Sequence, residues 1–239
     1  MDLHLIFGPT CTGKTAAAIS LSEHTGIPVL ALDRVQCYPQ LSTGSGRPTA
    51  AELRGTKRIY LTEAPLAKGI IAAARAHDYL IGEVYSHEPQ GRLILEGGSV
   101  SLIRHMAQSR YWDLGFRWHI SRHHLEDDEA FLTGARARVR NMLQPYEGKS
   151  LLQELVCLWK EPAVRSTLEK IDGYRYAIQF ARRNKLDVDA LMHLGPDQND
   201  ELVDGIAREY LSHARLQEKE LPIPVDLGEP HEGHPFRMQ

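Results

Sequence analysis

Residues 8–15 read GPTCTGKT, the G-x-x-x-x-G-K-[ST] spacing of a phosphate-binding loop. An apolar run, Leu3 to Phe7, precedes it, and Lys14 to Ser22 follows with a helical pattern that stops near Gly26. A strand, a glycine-bounded loop and a helix in that order constrain the fold more than any other feature here. Gly8 and Gly13 let backbone amides converge on phosphate oxygens, and the helix N-terminus adds partial positive charge. Lys14 reaches the outer phosphates and Thr15 can ligate a magnesium ion. The spacing speaks for phosphate and leaves the chemistry open.

The rest of the N-terminal half repeats the alternation. Pro28 to Asp33 is a second apolar run, followed by the polar, glycine-rich loop QCYPQLSTGSGRP. Arg58 to Thr62 reads as a third strand, Leu66 to Tyr85 carries helical periodicity, RLILEGGSV reads as strand, turn and helix start, and Phe116 to Ile120 as another strand. After about residue 125 the patterns become helical: LEDDEAFLTGARARVRNML, Leu151 to Trp159, Gly173 to Arg182 and Glu201 to Glu218. The expected fold is therefore a P-loop NTPase-like parallel sheet flanked by helices, followed by a smaller all-helical domain. Residues 1–125 would form the α/β part, 126–225 the helical part that completes a cleft, and 226–239, rich in Pro, Gly and His, a tail.

Asp33 falls at the C-terminal end of the second strand, the sheet edge that carries the ligand crevice in open α/β folds and that also holds the phosphate loop. A carboxylate there can hold magnesium, take a proton from an acceptor, or simply make a turn. Enzymes that cleave nucleoside triphosphates usually add an apolar strand ending in a magnesium-holding Asp. Here LILEGG ends in Glu96, which could act on the metal through water or cap the following helix.

GPTCTGKT, LDRVQCYPQL, STGSGRP, LILEGGS and IDGYRYA, in that order over nearly the whole chain, resemble the adenylate dimethylallyltransferases, the isopentenyltransferases of bacterial cytokinin synthesis. The resemblance implies that the loop grips the diphosphate of dimethylallyl diphosphate, or of its hydroxylated analogue, as a leaving group. The N6 amine of AMP, or of ADP or ATP, then attacks the allylic carbon. By match to the family motif Asp33 is the base that takes the amine proton, and Thr10 contacts the bridging oxygen. Lys14, Arg138 of ARARV and Thr15 with Mg2+ stabilise the departing charge. Ser45 resembles the acceptor-binding serine. Asp172, which by position could equally cap a helix, accepts a hydrogen bond from the adenine amine, and the two carboxylates would raise one another's pKa. Tyr210 and His213, three apart on one helical face, would line the prenyl tail. On spacing alone they read as a half-buried Tyr and an exposed His, and Arg138, Arg136 and Arg140 read as a solvated helix face.

Other classes are set against this reading. The net charge of -3 disfavours a large polyanionic partner such as the tRNA of the related tRNA dimethylallyltransferases, so no nucleic-acid partner is expected. A small-molecule kinase would want the absent Asp, and a nucleotide-binding regulator would not need Asp33. HISRHHLEDDE, with His119, His123 and His124, lacks a metal-ligand spacing and reads as a solvated, charged loop. Cys11 lies inside the phosphate loop without an activating neighbour. Three cysteines without paired spacing, no membrane-length apolar stretch and no secretory signal lead to the expectation of a cytoplasmic protein with no membrane partner. Oligomeric state is not legible.

Overall fold

A computed structural model describes residues 1–113 and 115–222; the expected tail, 226–239, lies outside the described residues. The chain begins with β1 (Asp2–Phe7), α1 (Lys14–Thr25) and β2 (Val29–Ala31), then α2 (Ala50–Leu53), β3 (Arg58–Tyr60) and α3 (Ala73–Ser86). β4 (Arg92–Gly97), α4 (Val100–Ala107) and β5 (Arg117–Arg122) complete the α/β part. Beyond it the regular elements are α5 (Asp128–Leu143), α6 (Leu151–Trp159), α7 (Pro162–Leu168), α8 (Tyr174–Arg183) and α9 (Pro196–Glu220).

The strands form one sheet in the order β3-β2-β4-β1-β5, every pairing parallel. A parallel sheet covered on both faces needs strands that are apolar on both faces. In β1, Leu3, Leu5 and Phe7 are fully buried on one side. Ile6 points to the other, where it packs with Ala18, Ile27, Val29 and Ile94 beneath α1. The larger core runs without interruption from Leu3, Leu5 and Leu93 through Leu102 and Met106 to Val139, Leu155, Phe180 and Ile206 of the later helices.

One expected helix divides. The periodic stretch from Leu66 to Tyr85 is a 3-10 turn, Leu66–Lys68, followed by a break and then α3. Gly69 has φ 76, and the fully buried Tyr38 takes both backbone groups around the break. Its hydroxyl donates to the Gly69 carbonyl at 2.8 Å and accepts from the Ile71 N–H at 2.8 Å. Residues 70–72 thus lose helical geometry to a tertiary tether. α7, which opens on Pro162, is too short to show a period in sequence.

The last turn of α9 returns to the carboxyl edge of the sheet. Residues from both parts of the chain line one cavity there of about 870 Å³.

Candidate active site

The phosphate loop spans the end of β1 and the start of α1. Gly8, at φ 146, lies so close to the chain after β5 that a Cβ would meet the His123 carbonyl oxygen at 2.3 Å, which makes glycine obligatory. Gly13 caps α1 at φ 84. Lys14 is buried, its ammonium donating to the Pro9 carbonyl. Burial pushes its pKa down and Arg138 adds to this, while Glu96, Cys11 and Asp33 oppose it. Thr12 is gripped from outside, its carbonyl 2.7 Å from His123 Nδ1.

Of the histidines of the 119–124 stretch only the exposed His124 fits the expected solvated loop; His119 lies in β5 and His123 is partly buried. His119 stacks on His4 at 4.5 Å, His123 holds the phosphate loop, and His124 meets Glu218 at 2.9 Å. Each has a different partner, His119 within β5 and His123 and His124 in the chain that follows it.

Asp33 sits just past β2, beside Lys14 and Thr15 on the cavity wall. Oδ1 accepts from the Val35 N–H at 2.8 Å and the Gln36 N–H at 3.4 Å, so the turn-making role is real. Among the described residues no hydrogen bond reaches Oδ2, which leaves one oxygen for a ligand. Burial raises the Asp33 pKa. The two backbone N–H groups and Arg58 oppose the rise, and Glu96 adds to it. The like charge acting on Asp33 is thus Glu96, where the sequence suggested Asp172.

Glu96 is buried in β4 and caps no helix; α4 begins after Ser99 without a side-chain cap. Glu96 Oε1 accepts from Thr15 Oγ1 at 3.2 Å and Oε2 accepts from the buried Arg58 guanidinium at 2.7 Å. Arg58 also donates to Gln36 Oε1 at 3.1 Å. A carboxylate at the magnesium-holding position is here neutralised by a buried arginine.

The opposite wall comes from the helices. Arg138 lines the cavity with no ion-pair or hydrogen-bond partner among the described residues. Its neighbours Arg136 and Arg140, expected on a solvated helix face, pair instead with Asp204 at 2.7 Å and Asp200 at 3.4 Å on α9, the Arg140 pair remaining exposed. Arg138 reaches over the 42–48 loop: a Cβ on Gly46, at φ 69, would lie 2.0 Å from its Nη2. Asp172 is not an N-cap. Gly173 caps α8 without a side-chain bond, and Asp172 instead accepts from Arg175 at 2.6 Å and meets His213 Nδ1 at 3.1 Å. Tyr210 is 7% exposed rather than half-buried, its hydroxyl 3.9 Å from Met142 Sδ, and burial pushes its pKa up. Tyr210, His213 and Gln217 lie along one face of α9 and all line the cavity.

Ser45 lines the cavity, its hydroxyl donating to the Ser42 carbonyl at 3.3 Å. Arg47 turns away and holds the loop from behind. It donates to the Gln36 carbonyl and stacks 3.8 Å over Tyr60. Glu154, which no motif marks, clamps the same loop. It accepts from the Thr43 N–H at 2.8 Å, the Gly44 N–H at 2.9 Å and the Tyr174 hydroxyl. Burial raises its pKa. Tyr174 was findable within IDGYRYA; Glu154 and Gln217 were not.

The oxygens of Thr15, Asp33 and Glu96 are hard donors suited to magnesium. Among the described residues no group of three His, Cys, Asp or Glu could hold a metal. That set fits an ion which keeps most of its ligands from water and substrate phosphate.

The sequence pattern described as isopentenyl transferase matches residues 1–231. An adenylate dimethylallyltransferase of Agrobacterium fabrum (strain C58 / ATCC 33970) is 59% identical over 239 residues, covering 100% of both chains. One of Agrobacterium vitis is 60% identical over 238 residues, 99% of each. Among solved structures, a tRNA isopentenylpyrophosphate transferase from Bacillus halodurans aligns with a TM-score of 0.67 at 14% identity, covering 91% of this chain and 86% of that one. A tRNA delta(2)-isopentenylpyrophosphate transferase from Staphylococcus epidermidis gives 0.68 at 12% identity, covering 93% and 92%. These two share the fold.

Proposed function

The chain belongs to the isopentenyl transferase family, and on that premise we infer that it is a prenyltransferase of cytokinin biosynthesis, an adenylate dimethylallyltransferase. It transfers a dimethylallyl group from its diphosphate to the N6 amine of AMP. The products are the N6-prenylated nucleotide and diphosphate. The observation that carries the chemistry is the meeting, in one cavity, of an anion cradle with a half-committed carboxylate and a cation that has no partner among the described residues: Lys14 and Asp33 Oδ2 on the wall built from the sheet edge, Arg138 on the wall built from the helices.

An exocyclic adenine amine is a weak nucleophile because its lone pair is delocalised into the ring. As the N6–C1 bond forms and the C1–O bond to diphosphate breaks, the amine proton passes to Asp33. A base so placed contributes roughly a hundred- to ten-thousandfold. The raised pKa makes Asp33 a better proton acceptor than an ordinary carboxylate. Asp172 and Ser45 orient the adenine. Thr10, Lys14 and Arg138 meet the charge that grows on the leaving oxygen. Thr15, with Glu96 through water, would hold Mg2+, which supplies further positive charge to the diphosphate when bound. Tyr210 and His213 face the prenyl tail, where a hydroxylated donor would be accepted or refused. We further propose that residues 126–225 serve as the helical part that completes the acceptor and donor cleft.

Incubation with magnesium, dimethylallyl diphosphate and either AMP or unmodified tRNA is expected to give N6-prenylated nucleotide from AMP. Product from tRNA alone would overturn the acceptor assignment. Phosphorylated product from ATP and a nucleoside would replace this reading with a kinase.

A further inference from the structure

The last turn of α9 holds three loops at the carboxyl edge of the sheet, and its central contact is made by Gln217. The side chain is buried. Its Oε1 accepts from the Thr10 main-chain N–H at 2.7 Å and its Nε2 donates to the Gly98 carbonyl at 2.7 Å. Gly98 in turn lies against the phosphate loop; a Cβ there would be 2.5 Å from the Gly8 carbonyl oxygen and 2.9 Å from Gln217 Nε2. Glu218 accepts from Arg122 at 3.2 Å, from the Leu125 N–H at 3.0 Å and meets His124 at 2.9 Å. Glu220 meets Arg104 of α4 at 3.4 Å.

The Gln217 amide makes both bonds at once, one as acceptor and one as donor, which neither a carboxylate nor a thioether of the same length can do. The Thr10 it grips needs such a tether. Thr10 lies outside regular secondary structure and precedes Cys11, a non-glycine residue at φ 58. The only hydrogen-bond partner of its hydroxyl among the described residues is Cys11 Sγ at 3.8 Å. Because its N–H is already taken, Thr10 can face the diphosphate only through its side chain, whose point of attachment the main-chain bond holds in place.

We propose that Gln217 is a positioning residue of the donor site. By holding the Thr10 amide it fixes the Thr10 hydroxyl, and with it the first half of the phosphate loop, where the bridging oxygen departs. This rests on the prenyl-transfer reading of the cavity. The helical part of the chain thereby reaches into the chemistry of a loop that belongs to the sheet.

The test uses the full chain with magnesium, AMP and dimethylallyl diphosphate. Gln217→Met keeps the length and removes both bonds. It is expected to lower kcat about 10- to 100-fold, the effect of a misplacement near 1 Å, with KM for AMP changed less than about twofold. In a Thr10→Ala background the same substitution is expected to change kcat less than about twofold, since the two residues act as one unit. An unchanged kcat in the single variant, or an equal loss in both backgrounds, would overturn the proposal. If Gln217→Met does not fold, hydrogen exchange at the Thr10 amide of the wild type decides. Slow exchange without ligand supports the tether, and exchange as fast as in an exposed loop refutes it. Wild-type turnover of AMP with indifference to residue 217 would sink this inference alone; no wild-type turnover would sink the functional reading beneath it.

Discussion

Asp33 carries two duties on two oxygens. Oδ1 secures the turn after β2, and the cavity-facing carboxyl is raised in pKa by burial and by Glu96. A native state that binds the proton more tightly than the unfolded chain gains stability at low pH. It loses that gain as pH rises through the window between the ordinary carboxylate value and the raised one. Wherever it is ionised, Asp33 is therefore a burden on the fold. Asp33→Asn, which keeps a turn-making oxygen, is expected to cut kcat by two to four orders of magnitude and to raise the melting temperature at pH 7. Diphosphate binding by calorimetry should stay within a few-fold. A lowered melting temperature would show the carboxylate to be structurally favourable, and lost diphosphate binding would assign it to the metal. The same shift predicts that kcat/KM climbs with pH along a limb centred above the usual carboxylate range. A pH-rate profile flat from pH 4 to 8 would contradict it. Arg138 is the companion case. Because Arg138 lies over Gly46 with no partner among the described residues, its replacement by Ala should raise donor KM and lower kcat by about tenfold or more. Arg136→Ala, removing a pair with Asp204, should leave both within about threefold.

The 42–48 loop behaves as an element although it has little regular structure of its own. Glu154 and Tyr174 hold it from the helices, and Arg47 holds it from the sheet side. Glu154 is a buried carboxylate satisfied by three donors, so Glu154→Ala should strand them and destabilise the fold by about 3–5 kcal/mol. Tyr174→Phe removes one of the three bonds and keeps the packing. It is expected to raise KM for AMP several-fold while donor affinity changes little, measured by varying each substrate in turn. A loop that positions Ser45 must show that asymmetry; equal changes for both substrates would deny it the role. The elements themselves were largely legible. β1, α1, β4, α5 and α6 follow from apolar period and from their stops and caps. Ser150 with Gln153 makes the capping box that opens α6, and Asp127 accepts from Ala130 at the start of α5. The split between residues 66 and 86 was not legible, because Tyr38 makes it from 31 residues away in sequence.

At the scale of the molecule, the core is continuous from the sheet to α9, and the last turn of that helix is bonded to the phosphate loop. Cutting the chain near residue 125 would expose apolar surface on both sides. The protein is expected to unfold in one calorimetric transition, with a ratio of van't Hoff to calorimetric enthalpy near one. Two resolved transitions, or a stably folded fragment 1–125, would show instead that the helical part is an independent unit. No helix among the described residues is long and apolar enough to cross a membrane.

The phosphate loop, the alternation of strand and helix and the position of Asp33 at the end of the second strand were set by sequence alone, because each depends on neighbours within a turn or a strand. Period, glycine spacing and chain direction are local and readable. What the tertiary structure decided lies in contacts between distant segments: Arg58 neutralising Glu96, Asp172 paired with Arg175 and His213, Glu154 clamping Ser45's loop and Gln217 gripping Thr10. A buried polar group must find its partner wherever the fold brings one, and the chain between them carries no periodic trace of that pairing.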